Sequence, residues 1–169
     1  VDVTVDQSLL LRKRLEEQRL DLALINCATR PFPTAGEVIY TEKLVWAGAK
    51  SGHAYLRDPL PISVWEEGCV WRQDAISQLE KQKRSYRIAY ASAHTMAQRA
   101  AVVSDLAIAP FPLSYITEDM QILGAKEGLP ELISFDIRLL TSAHLSVPAQ
   151  AVADSIKDAF GSLVVASTA

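Results

Sequence analysis

Residues 66–72 read EEGCVWR, between the apolar run PISVW and a long polar–apolar alternation. A strand gives way to a helix there, and several of the residues bear chemistry. Gly68 lets a backbone approach a ligand with no Cβ in the way. Cys69 at a helix N-terminus would feel a positive field that lowers its pKa, which suits a thiolate nucleophile or a redox sensor. A free Cys is most often a small buried hydrophobe. Glu66 and Glu67 are a conceivable acid/base pair, but neighbours on a strand point to opposite faces, which makes them solvated flanks. Trp46, Trp65 and Trp71 either line a pocket or fill cores. A Cys27–Cys69 disulfide would require a Cα separation that spacing alone does not set.

Other catalytic patterns are missing. His53, His94 and His144 lack the i,i+4 spacing of a zinc helix and read as surface or capping residues. There is no G-x-S-x-G elbow. AKSG (49–52) lacks the upstream glycine spacing of a phosphate-binding loop. The expectation is therefore no catalytic residue, no metal and no cofactor.

The elements that would position these residues follow from hydrophobic period. VDVTV (1–5) alternates and reads as a strand. Ser8 is placed to cap a helix to about Gln18, with Leu11 and Leu15 on one face. LDLALIN (20–26) is a near-continuous apolar run, as in a parallel strand buried on both faces. Together these three make a βαβ unit. RPFPTAG (30–36) is a connector, EVIYTEKLVWA (37–47) a long strand, and KSGHAYLRDPLP (50–61) a polar loop. ISVW (62–65) is a strand, and 70–82 a helix with Ala75, Ile76 and Leu79 inward.

YRIAYA (86–91) is a strand followed by a capping Ser92 and a helix over 94–103. DLAIAPF (105–111) and LISFDIRLL (132–140) are strands. Pro148 opens a last helix with Val152, Ile156 and Phe160 as its stripe. The tail after Leu163 is small and weakly patterned. The order β-α-β-β-β-α-β-α-β-β-α is α/β, in two lobes joined by crossing strands.

In such sheets ligands bind at the carboxyl ends of strands, beside helix N-termini that favour anions. Asp6 to Ser8, Asn26 and Cys27, Gly68 to Val70, and Ala91 with Ser92 stand at such ends.

The 169 residues carry a net charge of −3 and are 49% hydrophobic, as expected of a globular chain. No Lys/Arg run marks a nucleic-acid binder. No apolar run nears the roughly 20 residues that span a bilayer. Two cysteines fit a reducing compartment. The chain opens without Met and reads as a piece of a longer protein.

PLPISVWEEGCVWRQDAISQLEKQKRSYRIAYASAHTMAQRAAVVSDLAIAP (59–110) resembles the central stretch of the effector-binding domain of LysR-type transcriptional regulators. LRKRLEEQRLDLALIN, VIYTEKLVWAGAKSGH and KEGLPELISFDIRLL resemble that family's helix-and-strand, crossing strand with a His-bearing loop, and return strand. The likeness runs from Val1 to about Leu163. It implies a type 2 periplasmic-binding-protein-like fold. Lobe I would be 1–43 with 139–169, its N-terminal strand and helix missing; lobe II would be 44–138.

The resemblance also implies a cleft lined by Gln7, Ser8, Asn26, Cys27, Glu67, Gly68, Cys69, Val70, Trp71, Ala91, Ser92, Phe111 and Pro112. A small-molecule effector would bind there, a carboxylate or other anion by the helix N-termini, though not a highly charged one beside Glu66 and Glu67. It implies a cytoplasmic, non-enzymatic homodimer or higher homo-oligomer, with helix 8–18 against helix 94–103. DNA would be held only through an N-terminal helix-turn-helix domain. A solute-binding protein of a transporter is the alternative with the same fold. One departure stands out: the family's Gly-x-Gly after the helix ending near Val103 is here Ser104 and Leu106, which predicts a different local turn.

Overall fold

The computed structural model describes residues 1–28 and 35–166. The order is α1 (Ser8–Glu16), β1 (Leu22–Ala28), β2 (Glu37–Ala49), β3 (Leu60–Val64), α2 (Val70–Lys81), β4 (Tyr86–Ala91), α3 (Thr95–Val103), β5 (Ala109–Pro112), β6 (Met120–Leu123), β7 (Ser134–Thr141) and α4 (Val147–Ala166). The chain forms two compact units: Val1–Glu42 with Phe135–Ala169, and Lys43–Ser134. The strand order is β1-β7-β2-β5, with β6 also on β2; β3 and β4 form a separate pair. β2 and β7 each run through the boundary between the units.

In the first unit β1 is antiparallel to β7, with Leu22 opposite Thr141 and Ala28 opposite Phe135. α1 packs Leu15 onto Ala23, Ile25 and Leu140, flanked by Leu11, Leu20 and Cys27. The βαβ unit expected at the N-terminus does not form. Residues 1–5 join no ladder and Val1, Val3 and Val5 are exposed; alternation makes a strand only where a neighbouring edge pairs with it. Nor is β1 buried on both faces: Ala23 and Ile25 are buried, but Leu24 is exposed. Of the connector expected at 30–36, only Ala35 and Gly36 are among the described residues.

α4 buries Ala149 and Ala153 rather than Val152 and Ile156. Its Phe160 lies against Tyr40 at 6.0 Å. Its backbone runs helical to Ala166, past the weak pattern after Leu163.

In the second unit β3 is parallel to β4, with Leu60 opposite Tyr86 and Val64 opposite Ala91. All five residues of β3 are buried. α2 buries Trp71, Ala75 and Leu79 and packs against β5, while α3 packs against β3 and β4. The last part of β2 is antiparallel to β5 and to β6. The four residues of β6 escaped the sequence reading because so short a run among polar neighbours carries no period.

The strand expected over 105–111 begins only at Ala109, because Asp105 and Leu106 close α3. Ser104 keeps a negative φ of −82° and the left-handed residue is Asp105, at φ 55°. Asp105 N–H bonds Val102 O at 2.9 Å and Leu106 N–H bonds Ala101 O at 3.0 Å, the paired closure of a Schellman motif. α1 and α2 close in the same way on Gln18 (φ 58°) and Lys83 (φ 54°).

Asp105 is compensated for its backbone strain. Its Oδ1 accepts the N–H groups of His53 at 3.0 Å and Ala54 at 2.8 Å, and its Oδ2 accepts Arg57 Nη2 at 3.0 Å. No such bond is made by the side chains of Gln18 or Lys83 among the described residues. Lys83→Gly and Gln18→Gly should each stabilise the chain by about 0.5 kcal/mol, the relief of left-handed strain less the entropy a glycine adds to the unfolded state. Asp105→Gly should instead cost about 1–3 kcal/mol, because three donors lose their acceptor. Urea midpoints at unchanged m-value would check both signs.

Candidate functional site

The first unit brings four of the sequence-derived residues together. Ser8 does not cap α1; Gln7 is the N-cap residue, with extended backbone. The Ser8 hydroxyl instead accepts the Asn26 backbone N–H at 3.1 Å, which fastens the helix start to the end of β1. Asp6 steadies the same corner, accepting Gln7 N–H at 2.9 Å and pairing with Arg14 at 2.7 Å. Cys27 follows Asn26 and lies opposite Asp136 in the ladder.

Asp136 is a buried carboxylate that the sequence reading missed. Thr41 Oγ1 donates to its Oδ1 at 2.8 Å and Arg138 Nη2 lies 3.3 Å from its Oδ2. The signal was present in FDIR: residues i and i+2 of a strand share a face, so Asp136 and Arg138 stand side by side.

In the second unit the other residues lie at the carboxyl ends of strands. After Val64 the chain turns through Glu66–Cys69, closed by Cys69 N–H on Glu66 O at 3.3 Å. Gly68 takes φ +88°, and a Cβ there would touch nothing, so the glycine serves backbone conformation rather than space. Cys69 is the N-cap residue of α2, and the N–H groups of Trp71 and Arg72 act on its sulfur. Arg72 Nη1 donates to Trp65 O at 3.0 Å, while Glu67, almost wholly exposed, lies 3.8 Å from Nη2.

Trp71 and Phe111 are buried. Both pack edge-on against Trp65, at 5.0 and 5.2 Å, and Tyr115 continues the stack. Pro112 ends β5 beside Phe111.

β4 ends at Ala91, and Ser92 follows it. Ser92 is not the cap of α3; His94 is, and Ser92 Oγ accepts its N–H at 3.1 Å. Ser92 N–H bonds Val64 O at 3.2 Å, so the ends of β3 and β4 are joined. Gln98, fully buried on α3, also reaches this junction.

The lowered pKa expected of Cys69 from its place at a helix start is not found. Burial pushes its thiol up, and this outweighs the helix N–H groups and the Arg72 charge that pull it down. No group of three His, Cys, Asp or Glu side chains among the described residues could hold a metal ion. Each unit therefore offers a polar strand-end corner, and the second adds a helix N-terminus with a partly buried guanidinium. Such a corner is chemically suited to holding an anion.

The parallel pair, the antiparallel crossing strands and the covering helices make a periplasmic-binding-protein-like α/β domain. A family model described as "LysR substrate binding domain" matches residues 1–161, and the chain belongs to that family. It is 30% identical over 132 residues to the HTH-type transcriptional regulator DgdR of Burkholderia cepacia, covering 76% of this chain and 43% of DgdR. It is 23% identical over 132 residues to the HTH-type transcriptional regulator PecT of Dickeya dadantii (strain 3937), covering 78% and 41%. The chain thus spans about two fifths of the length of these relatives.

Among solved structures, the apo regulatory domain of HypT from Salmonella typhimurium has a TM-score of 0.78 at 14% identity, covering 95% of this chain and 82% of that one. The CcmR regulatory domain from Synechocystis PCC6803, in complex with 2-PG, has a TM-score of 0.71 at 16% identity, covering 95% and 83%. These likenesses establish the fold. No helix among the described residues is long and apolar enough to cross a membrane.

Iodoacetamide should alkylate Cys69 more slowly than free cysteine at pH 7–8, with a pH–rate midpoint above that of free cysteine, because the thiolate is the reacting form. A rate equal to or above that of free cysteine, measured by mass spectrometry of the Cys69 peptide, would contradict the burial of this thiol.

Proposed function

We propose that this chain is the effector-sensing part of a LysR-type transcriptional regulator and binds a small carboxylate or comparable anion. The convergence of the β3 and β4 ends on the N-terminus of α2, beside Arg72, carries this reading. Glu67, Gly68, Cys69, Val70, Ala91 and Ser92 would contact a ligand in the second unit. Trp71, Phe111 and Pro112 would support it from behind. Gln7, Ser8, Asn26 and Cys27 would be the ligand contacts of the first unit. Lobe I would comprise residues 1–43 and 139–169, and lobe II residues 44–138.

A ligand preferring one arrangement of the protein shifts the equilibrium by its difference in affinity. That shift would reach DNA through an N-terminal helix-turn-helix domain, in the cytoplasm and without turnover. Relatives named as transcriptional regulators support this reading over a transport binding protein. The codons before Val1 test the choice: a basic helix-turn-helix segment is expected, and a signal sequence would overturn it.

We also propose that two copies associate through α1 of one and α3 of the other. Both helices hold large apolar side chains in solvent, with Leu9 67% and Met96 73% exposed. Sedimentation should show a dimer that Met96→Glu dissociates; an unchanged dimer would exclude α3.

A thermal-shift screen of small monocarboxylates should raise the melting temperature, because a ligand at a hundred times its Kd stabilises a fold by about 2.7 kcal/mol. No shift with any carboxylate would remove the anion assignment.

A further inference from the structure

We propose that Gln98 is the positioning residue of the second unit's strand-end site: its amide sets the separation of the β3 and β4 ends and ties both to α3. The inference rests on the reading of those ends as a ligand site, but its geometry stands apart from any ligand's identity. Gln98 is fully buried, as is its partner Ser63. Its Nε2 donates to the carbonyls of Val64 and of Ser92, the latter at 2.7 Å, and its Oε1 accepts the Ser63 hydroxyl. Two carbonyls facing one end of the amide fix which atom is nitrogen, since an oxygen there would face only acceptors.

The carbonyls it holds are where the strands need outside help. The β3–β4 ladder shifts between Ile62 and Ser63, so that Ser63 lies opposite Tyr90 and Ala89 is left over. A bulge of this kind re-aims the strand beyond it. Past it, Val64 O accepts both Ser92 N–H and Gln98 Nε2. One residue further on are Trp65, whose carbonyl takes Arg72, and then the Glu66–Cys69 turn. The turn that presents Gly68 and Cys69, and the Ala91–Ser92 end, therefore share one side chain as their common anchor. That side chain belongs to α3, whose outward Met96 is exposed. A movement of the strand ends is transmitted to α3 through the amide, because a buried carbonyl that loses its donor is costly.

The test uses the whole chain and iodoacetamide as a local probe, with Cys69 reporting on the second unit and Cys27 on the first. In Gln98→Leu the Cys69 rate relative to wild type should rise about fivefold or more, the factor expected when about 1 kcal/mol of buried hydrogen bonding is lost from a local closed state. The near-ultraviolet circular dichroism of the Trp65–Trp71 pair should weaken, and the Cys27 rate should stay that of wild type.

Gln98→Glu separates donation from bulk. As a neutral acid at low pH it has one O–H to donate to one of the two carbonyls and should lie between wild type and the Leu variant. As a carboxylate above pH 7 it faces acceptors and should behave as the Leu variant. The groups that Gln98 bonds (Ser63, Val64 and Ser92) carry no titratable side chain, and rates are taken as ratios to wild type at each pH. Should Gln98→Leu fail to fold, the pH course of Gln98→Glu and the milder Ser63→Ala decide the matter. A folded variant with the Cys69 rate and Trp signal of wild type, or a Gln98→Glu ratio that does not change with pH, overturns the proposal. A carboxylate screen without hits would overturn the anion reading and leave this result untouched.

Discussion

A strand buried along its whole length must have every backbone group paired, and β3 sets that condition for the second unit. On one side β4 supplies the ladder, beginning with Leu60 N–H on Ser85 O at 3.0 Å. On the other side Ile108 serves, taking Ser63 N–H at 2.7 Å and giving its own N–H to Pro61 O at 3.0 Å. Where the ladder slips, side chains complete the pairing: Gln98 on Val64, and Arg72 on Trp65. α2 and α3 are therefore fixed by polar bonds to the end of β3 as well as by Trp71, Leu79 and Val102 in the core. Both donors come from the first turns of their helices, which is why the polar corner and the helix starts coincide.

What the sequence disclosed depended on how local the determinant was. The periods over 70–81 and 95–103 survive in the fold because each helix buries one face, and the strand over 86–91 survives because it pairs with β3. VDVTV fails because pairing is not a property of the segment, and β6 because four residues hold no period. The Gly68–Cys69 junction was legible because glycine between a strand pattern and a helix pattern has few other uses. Gln98 was not. In HTMAQRAAVV a glutamine reads as a solvent residue, and only the slipped ladder of distant residues gives it an interior partner. The family's Gly-x-Gly was a misleading guide to the turn after α3, since a carboxylate that caps the 53–54 backbone lets Asp105 occupy the left-handed position.

Cys69 shows two rules in competition. The start of a helix favours a thiolate, and burial opposes it. The side chain packs at the head of α2 with little water to stabilise charge, and burial wins. The same burial would disfavour any multiply charged ligand placed there, while a single carboxylate would be met by N–H groups already aligned.

That balance bears on why the corner suits sensing rather than reaction. Covalent chemistry at Cys69 would require a base within hydrogen-bond reach of an activated thiol, whereas burial raises the pKa of this thiol, and Arg72 beside it, like Gln98 on α3, is already bound to backbone carbonyl groups. Groups so committed are poor proton carriers, but they hold geometry. A sensor needs that property: the free energy it transmits equals the difference in ligand affinity between two arrangements, and the difference is large only if the strand ends cannot relax around the ligand separately from α3. Because Gln98 bonds both strand ends at once, a ligand held there, as proposed, would act on α3 through the same bonds that satisfy the buried strand.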